Sequence, residues 1–131
     1  MKLKFALIGT GGIAQTYAQA FQQSDCCQLV AVADINQESA KAFAEPFGAK
    51  SFSDYKILAE NSEFDAVIIS TPPNTHPEIA MYFMNRQKHV LCEKPLCLSA
   101  REANEMIETA ERTGVVFTMA TKFRYCEDVV K

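Results

Sequence analysis

Three clusters in this 131-residue chain combine residue types that could do chemistry: Gly9-Thr10-Gly11-Gly12-Ile13-Ala14 with Asp34 after it, Ser70-Thr71-Pro72-Pro73-Asn74-Thr75-His76, and Glu93-Lys94-Pro95. The first is the most informative. Leu3 to Ile8 is an apolar run that reads as a strand, and Ile13, Ala14, Tyr17, Ala18 and Phe21 recur at helical spacing. A glycine turn between a strand and a helix is the setting of the G-x-G-x-x-G/A dinucleotide fingerprint. Gly9 would let the chain turn out of the strand. Gly11 would let a pyrophosphate approach the backbone, and Ala14 would let the helix pack close to the strand. Free N–H groups and the positive end of the helix dipole, around Gly12 and Ile13, would then face the phosphates.

Asp34 strengthens this pattern. It ends the second apolar run, Cys27 to Ala33, about 20 residues past the glycines, where a carboxylate can accept from the adenosine ribose 2′-hydroxyl. Ile35 and Asn36 follow it rather than an arginine or lysine, so a 2′-phosphate would meet a negative charge without a neighbouring cation. NAD is therefore the expected cofactor, in preference to NADP.

The elements that must position these residues alternate strictly. A helix with Ala40, Phe43, Ala44 and Phe47 on its apolar stripe starts at Asn36. A short edge strand at Ala49 to Phe52 and a short helix capped by Ser53 come next. Asp65 to Ser70 is a buried strand, and Thr75-His76-Pro77-Glu78 has capping-box spacing at the start of another helix. The strand His89 to Cys92, a helix capped by Ser99 and the strand Val115 to Ala120 complete the series. Continuous apolar strands separated by amphipathic helices predict an α/β fold, a doubly wound, mostly parallel sheet of order 3-2-1-4-5-6. In such sheets ligands bind at the carboxyl ends of the strands. Gly9 to Gly12, Asp34, Ser70 to Asn74, Glu93 to Pro95 and Thr121 to Arg124 all fall at such ends.

Composition is that of an ordinary globular protein, with a net charge of −3 and no basic run, so neither nucleic acid nor an anionic membrane is implied as a partner. No stretch has the length of a membrane span, and the N-terminus lacks a signal peptide's apolar segment. The five cysteines show no Cys-x-x-Cys or Cys/His ligand spacing. They read as reduced thiols of a cytoplasmic protein, with no metal site.

Taken together, the glycine turn, Ser70 to His76 and Glu93-Lys94-Pro95 resemble the N-terminal NAD(P)-binding Rossmann domain of the Gfo/Idh/MocA (glucose–fructose oxidoreductase, inositol dehydrogenase) family. The resemblance implies an NAD(P)-dependent dehydrogenase moving a hydride between nicotinamide and a sugar or cyclitol hydroxyl. By it, Lys94 is the catalytic lysine that hydrogen-bonds the reacting hydroxyl and relays its proton. Glu93 lies near the nicotinamide ribose. Ser70, Thr71, Pro72, Asn74 and His76 line the middle and nicotinamide end of the cofactor, and Arg124 lies near the nicotinamide. His76, beside a helix start, reads as a packing or hydrogen-bonding residue rather than a catalyst. Gln87 replaces the glycine usual in the family before the Lys88-His89-Val90 strand, at a cost of about 1 kcal/mol for a left-handed backbone.

Residues 1–123 are expected to form the dinucleotide-binding domain. Residues 124–131 are expected to begin a connection to a C-terminal substrate domain that this chain lacks. On that expectation the chain is a fragment, inactive alone, and the full-length protein forms a homo-oligomer through the missing domain. A non-catalytic NAD-binding sensor and a biliverdin reductase-like enzyme of the same fold are the alternative readings. Intact Glu93-Lys94-Pro95 favours a dehydrogenase over a sensor.

Overall fold

The structure, a computed structural model, describes residues 1–121. Six strands, β1 (Leu3–Ile8), β2 (Cys27–Ala33), β3 (Lys50–Phe52), β4 (Ala66–Ile69), β5 (His89–Glu93) and β6 (Phe117–Ala120), form one sheet in the order β3-β2-β1-β4-β5-β6. Every neighbouring pair is parallel. Five helices connect them: α1 (Ala14–Gln23), α2 (Gln37–Ala44), α3 (Tyr55–Asn61), α4 (His76–Met84) and α5 (Ala100–Thr113). The expected strand order holds.

Alternation along each strand sends side chains to two cores. Ala6, Ile8, Val67, Ile69, Val90 and Cys92 face α3, α4 and α5, where Leu58, Phe83, Met84 and Met106 fill the space. Leu7, Leu29, Val32 and Ile68 face α1 and α2, meeting Ala14, Ala40 and Phe43. The alternation slips once. The β1–β2 register shifts between Phe5 and Ala6, with Leu29 opposite Phe5 and Ala31 opposite Ala6. Val30 is the extra residue, and it packs on the same core as Ala31. The bulge restores the register before the strand reaches Asp34.

Two helix starts differ from the sequence expectation. Asp54, not Ser53, caps α3, its carboxylate accepting from the Lys56 N–H at 2.7 Å. A carboxylate accepts this bond with a full charge, beside the positive end of the helix. Thr75 makes no capping bond to α4. Its hydroxyl donates to the Pro72 carbonyl at 2.6 Å and meets the Thr71 hydroxyl at 2.6 Å, closing the turn after β4 instead. Ser99 caps α5 as expected, accepting from Glu102 N–H and donating to the Glu102 carboxylate. Gln87 has φ +61°, the left-handed backbone where the family resemblance implies a glycine. No helix among the described residues is long and apolar enough to cross a membrane.

Candidate functional site

At the carboxyl end of β1, Gly9 has φ +95° and packs directly on the chain leaving β4. A Cβ there would lie 2.8 Å from the Ser70 carbonyl carbon and 2.9 Å from the Thr71 nitrogen. Ser70 locks the contact, its hydroxyl donating to the Gly9 carbonyl at 2.7 Å and its N–H to the Ile8 carbonyl at 2.8 Å. Gly11 is the opposite case: a Cβ there would meet nothing within 4 Å. The exposed Gly11, Gly12 and Ile13 N–H groups at the mouth of α1 have no acceptor among the described residues. Three free donors beside open space at a helix N-terminus suit a phosphate.

Asp34 binds the glycine loop across the gap between β1 and β2. Its Oδ2 accepts from Thr10 N–H at 2.8 Å and from Thr10 Oγ1 at 2.7 Å, and its Oδ1 accepts from Asn36 N–H at 2.8 Å. Burial pushes the Asp34 carboxyl up, but these bonds together hold it below its ordinary value. A carboxylate has about four acceptor positions, so one remains, on Oδ1, for a ligand hydroxyl.

A groove of about 880 Å³ gathers much of the expected site. Gly9, Thr10, Gly11, Asp34, Ser70, Thr71, Pro72 and Asn74 line it. Gly12 and Ile13 stand beside it at the start of α1, and Arg124 lies outside the described residues. Ser53, Asp54, Tyr55 and Lys56 also line the groove, with Glu78 opposite. Sequence reasoning passed over them, although they follow β3 directly and the strand-end rule applies to β3 as to the others. Tyr55 donates its hydroxyl to Glu78 Oε1 at 3.2 Å, and burial with the Glu78 charge pushes its phenol up to about 12.

Glu93 and Lys94 lie outside that groove, at the end of β5, and are tied to α1. Glu93 Oε1 accepts from the Tyr17 hydroxyl at 2.6 Å, and Oε2 accepts from Lys94 N–H at 3.1 Å. Sequence reasoning placed Tyr17 on an apolar helix stripe and gave it no role at the site. The Lys94 side chain is exposed.

His76, expected from the resemblance along the cofactor and from its place beside a helix start as a packing or hydrogen-bonding residue, takes the packing position. It is fully buried. Nδ1 lies 3.0 Å and 3.1 Å from the carbonyl oxygens of Pro95 and Leu96, and Nε2 lies 2.8 Å from that of Thr71. Both ring nitrogens face backbone carbonyl oxygens, so buried His76 packs between the turn after β4 and the loop after Lys94 and presents no ring nitrogen to the groove. Among the described residues, no group of three or more His, Cys, Asp or Glu is placed to hold a metal ion.

A parallel sheet of this order, with a glycine turn, free helix N–H groups and a β2-end carboxylate on one rim, defines an NAD(P)-binding Rossmann domain. Residues 3–121 match the family model described as "Oxidoreductase family, NAD-binding Rossmann fold", and the chain belongs to this Gfo/Idh/MocA oxidoreductase family. It is 42% identical over 122 residues to a glucose-6-phosphate 3-dehydrogenase of Bacillus subtilis, covering 93% of this chain and 34% of the relative. It is 40% identical over 121 residues to a scyllo-inositol 2-dehydrogenase (NADP(+)) of the same organism, covering 92% of this chain and 37% of the relative. A WlbA dehydrogenase from Bordetella pertussis, solved with NADH and UDP-GlcNAcA, superposes with TM-score 0.93 at 27% identity, covering 98% of this chain and 39% of that one. The chain thus spans little more than a third of the length of these relatives.

Proposed function

We propose that this chain is the dinucleotide-binding portion of an NAD-dependent dehydrogenase acting on a hydroxyl of a sugar or cyclitol. The observation that carries the reading is the Thr10–Asp34 pair beside open, donor-lined Gly11. Asp34 holds the glycine loop in place and keeps one acceptor position for a ribose hydroxyl. Gly11, Gly12 and Ile13 would hold the pyrophosphate on their N–H groups. Relatives named for a sugar phosphate and an inositol support the substrate class.

The residues present fit the cofactor. The nicotinamide supplies hydride acceptance and donation when bound. The chain's own contribution to turnover is Lys94, exposed at the end of β5 and able to hydrogen-bond a substrate hydroxyl and pass its proton on. Glu93, beside it, would lie near the nicotinamide ribose. The remaining substrate contacts would come from outside the span that these relatives share with the chain.

Charge in the groove favours NAD over NADP. Asp34, Asp54 and Glu78 line it against the single cation Lys56 among its described lining residues. A 2′-phosphate beside Asp34 would add to the repulsion. Calorimetric titration of the chain with NAD⁺ and NADP⁺ tests this. NAD⁺ should bind at least about tenfold tighter, a difference of about 1.4 kcal/mol. Equal affinities would overturn the preference, and a folded chain that binds neither would overturn the reading of the groove. A panel of polyols and sugar phosphates, assayed for NAD⁺ reduction by a protein carrying this chain with its substrate contacts, tests the substrate class.

A further inference from the structure

We propose that Tyr17 is a positioning residue for the nicotinamide end of the site, acting through Glu93 on the loop that carries Lys94. The inference rests on the dinucleotide reading above and deepens it. Tyr17 lies about one turn into α1, half-buried, its ring packed against the core of Leu7, Ala14 and Ile68. A phenylalanine would pack there as well, so packing does not account for the hydroxyl. The hydroxyl reaches Glu93, 76 positions away in sequence, at 2.6 Å.

That bond fixes a carboxylate that has no cationic partner among the described residues. Glu93 is half-buried at the last position of β5, and its two oxygens take one donor each, Tyr17 Oη and Lys94 N–H. Without Tyr17, one oxygen would lose its partner and the side chain would be free to change rotamer. Burial and the Glu93 charge hold the Tyr17 phenol well above its ordinary range, so it remains the donor of this bond.

The placement links two parts of the site. The turn leading into α1 carries the N–H groups that would bind the pyrophosphate, and Lys94 follows the end of β5. The Tyr17–Glu93 bond joins them from the front. On the other side, buried His76 packs between the Pro95 and Leu96 carbonyls of the same loop and the Thr71 carbonyl of the turn after β4. The loop following β5 is therefore flanked on two sides, and the Tyr17–Glu93 bond is the flank that ties it to α1.

Because the effect is confined to one end of the dinucleotide, it can be separated from folding. ADP fills only the adenosine and phosphate end, whereas NAD⁺ fills both. The test is calorimetric titration of wild type and Tyr17→Phe with each ligand, alongside thermal melts. Tyr17→Phe should bind NAD⁺ roughly tenfold more weakly, as for loss of one charge-assisted hydrogen bond, and ADP with unchanged affinity. A Tyr17→Phe/Glu93→Gln double-mutant cycle on NAD⁺ affinity should be non-additive. Equal weakening of both ligands would reveal a merely structural residue, and no change in either, or an additive cycle, would also overturn the proposal. If wild type binds ADP but gains nothing from the nicotinamide half of NAD⁺, the proposal fails while the groove reading stands. If wild type binds neither ligand, both fail.

Discussion

Gly9 and Ser70 meet backbone to backbone, so closely that the Ser70 hydroxyl donates to the Gly9 carbonyl at 2.7 Å while the space for a Gly9 side chain is already filled. The contact closes β1 against β4 directly beneath the groove. Gly11, two residues on, has only open space around it. Two glycines of one motif thus differ: the fold requires Gly9, whereas on the proposed reading it is the ligand that would require Gly11. Gly9→Ala should destabilise the chain by about 2–4 kcal/mol, from positive-φ strain and the clash with the Ser70–Thr71 peptide. Gly11→Ala should leave stability within about 0.5 kcal/mol and still abolish measurable NAD⁺ binding. Urea unfolding and calorimetry on both variants would check the contrast; equal loss of stability would refute it.

Asp34 links the site to acid stability. Its folded-state carboxyl is held below its ordinary value by Asn36 and Thr10, against an opposing push from burial. The folded state therefore favours the charged form. The stabilisation is complete above the unfolded-state value, about pH 4, and is lost as pH falls from there through the lower folded-state value. Asp34→Asn should flatten the decline of unfolding free energy below about pH 4 and leave the slope near neutrality unchanged. Urea titrations at a series of acid pH values would measure both slopes, and an unaltered acid limb in the variant would sink the argument.

Much of this was legible in the sequence, for identifiable reasons. Strand order followed from apolar runs alternating with helical stripes, because a parallel sheet covered on both faces imposes that pattern on each strand. The offset of Asp34 from the glycines is set by one helix and one strand, so it could be counted. Tyr17 could not be found this way: helical spacing shows that it points inward but not that the end of β5 lies within reach of its hydroxyl. The packing role of His76 could be read from its place beside a helix start, but its three carbonyl neighbours could not, since they belong to two loops that only the tertiary fold brings together. Tyr55 and Lys56 were missed because β3 is three residues long and drew attention as an edge rather than as a strand with a carboxyl end.

Among the described cysteines, Cys26 and Cys92 lie in opposite environments. Cys26 is exposed, and bonds from the Ser24 hydroxyl and from Cys27 lower its thiol below the ordinary value. Cys92 is buried in the sheet, and burial with the Glu93 and Cys97 charges pushes it up to about 12. The thiolate is the nucleophile. Iodoacetamide at neutral pH should therefore modify Cys26 well before Cys92, which should react only on unfolding. Peptide mapping by mass spectrometry over time would follow both, and early labelling of Cys92 in the folded chain would contradict the packing described. Ser24→Ala should slow Cys26 labelling near neutrality by removing a hydrogen bond to the thiolate.

On the proposed preference for NAD, Lys56 would set the remaining tolerance for NADP. It follows β3, lines the groove that Asp34 dominates, and is the only cation among the groove's described lining residues. Its Nζ stands 5.9 Å from the centroids of both the Tyr55 and Tyr82 rings. An exposed charge about 4 Å from a phosphate is worth about 1 kcal/mol, or roughly fivefold in affinity, and less as salt rises. Lys56→Ala should therefore weaken NADP⁺ by roughly fivefold at low salt and change NAD⁺ by less than about twofold, widening the preference. Asp34→Ser acts in the opposite sense: it removes the ribose acceptor and the repulsive charge together, so NAD⁺ should weaken while NADP⁺ improves. Combined with Asp34→Ser, Lys56→Ala should cancel most of that NADP⁺ gain. Titrations of the three variants at two ionic strengths would decide it, and a Lys56→Ala chain whose NADP⁺ affinity is unchanged at low salt would show that the 2′-phosphate lies elsewhere.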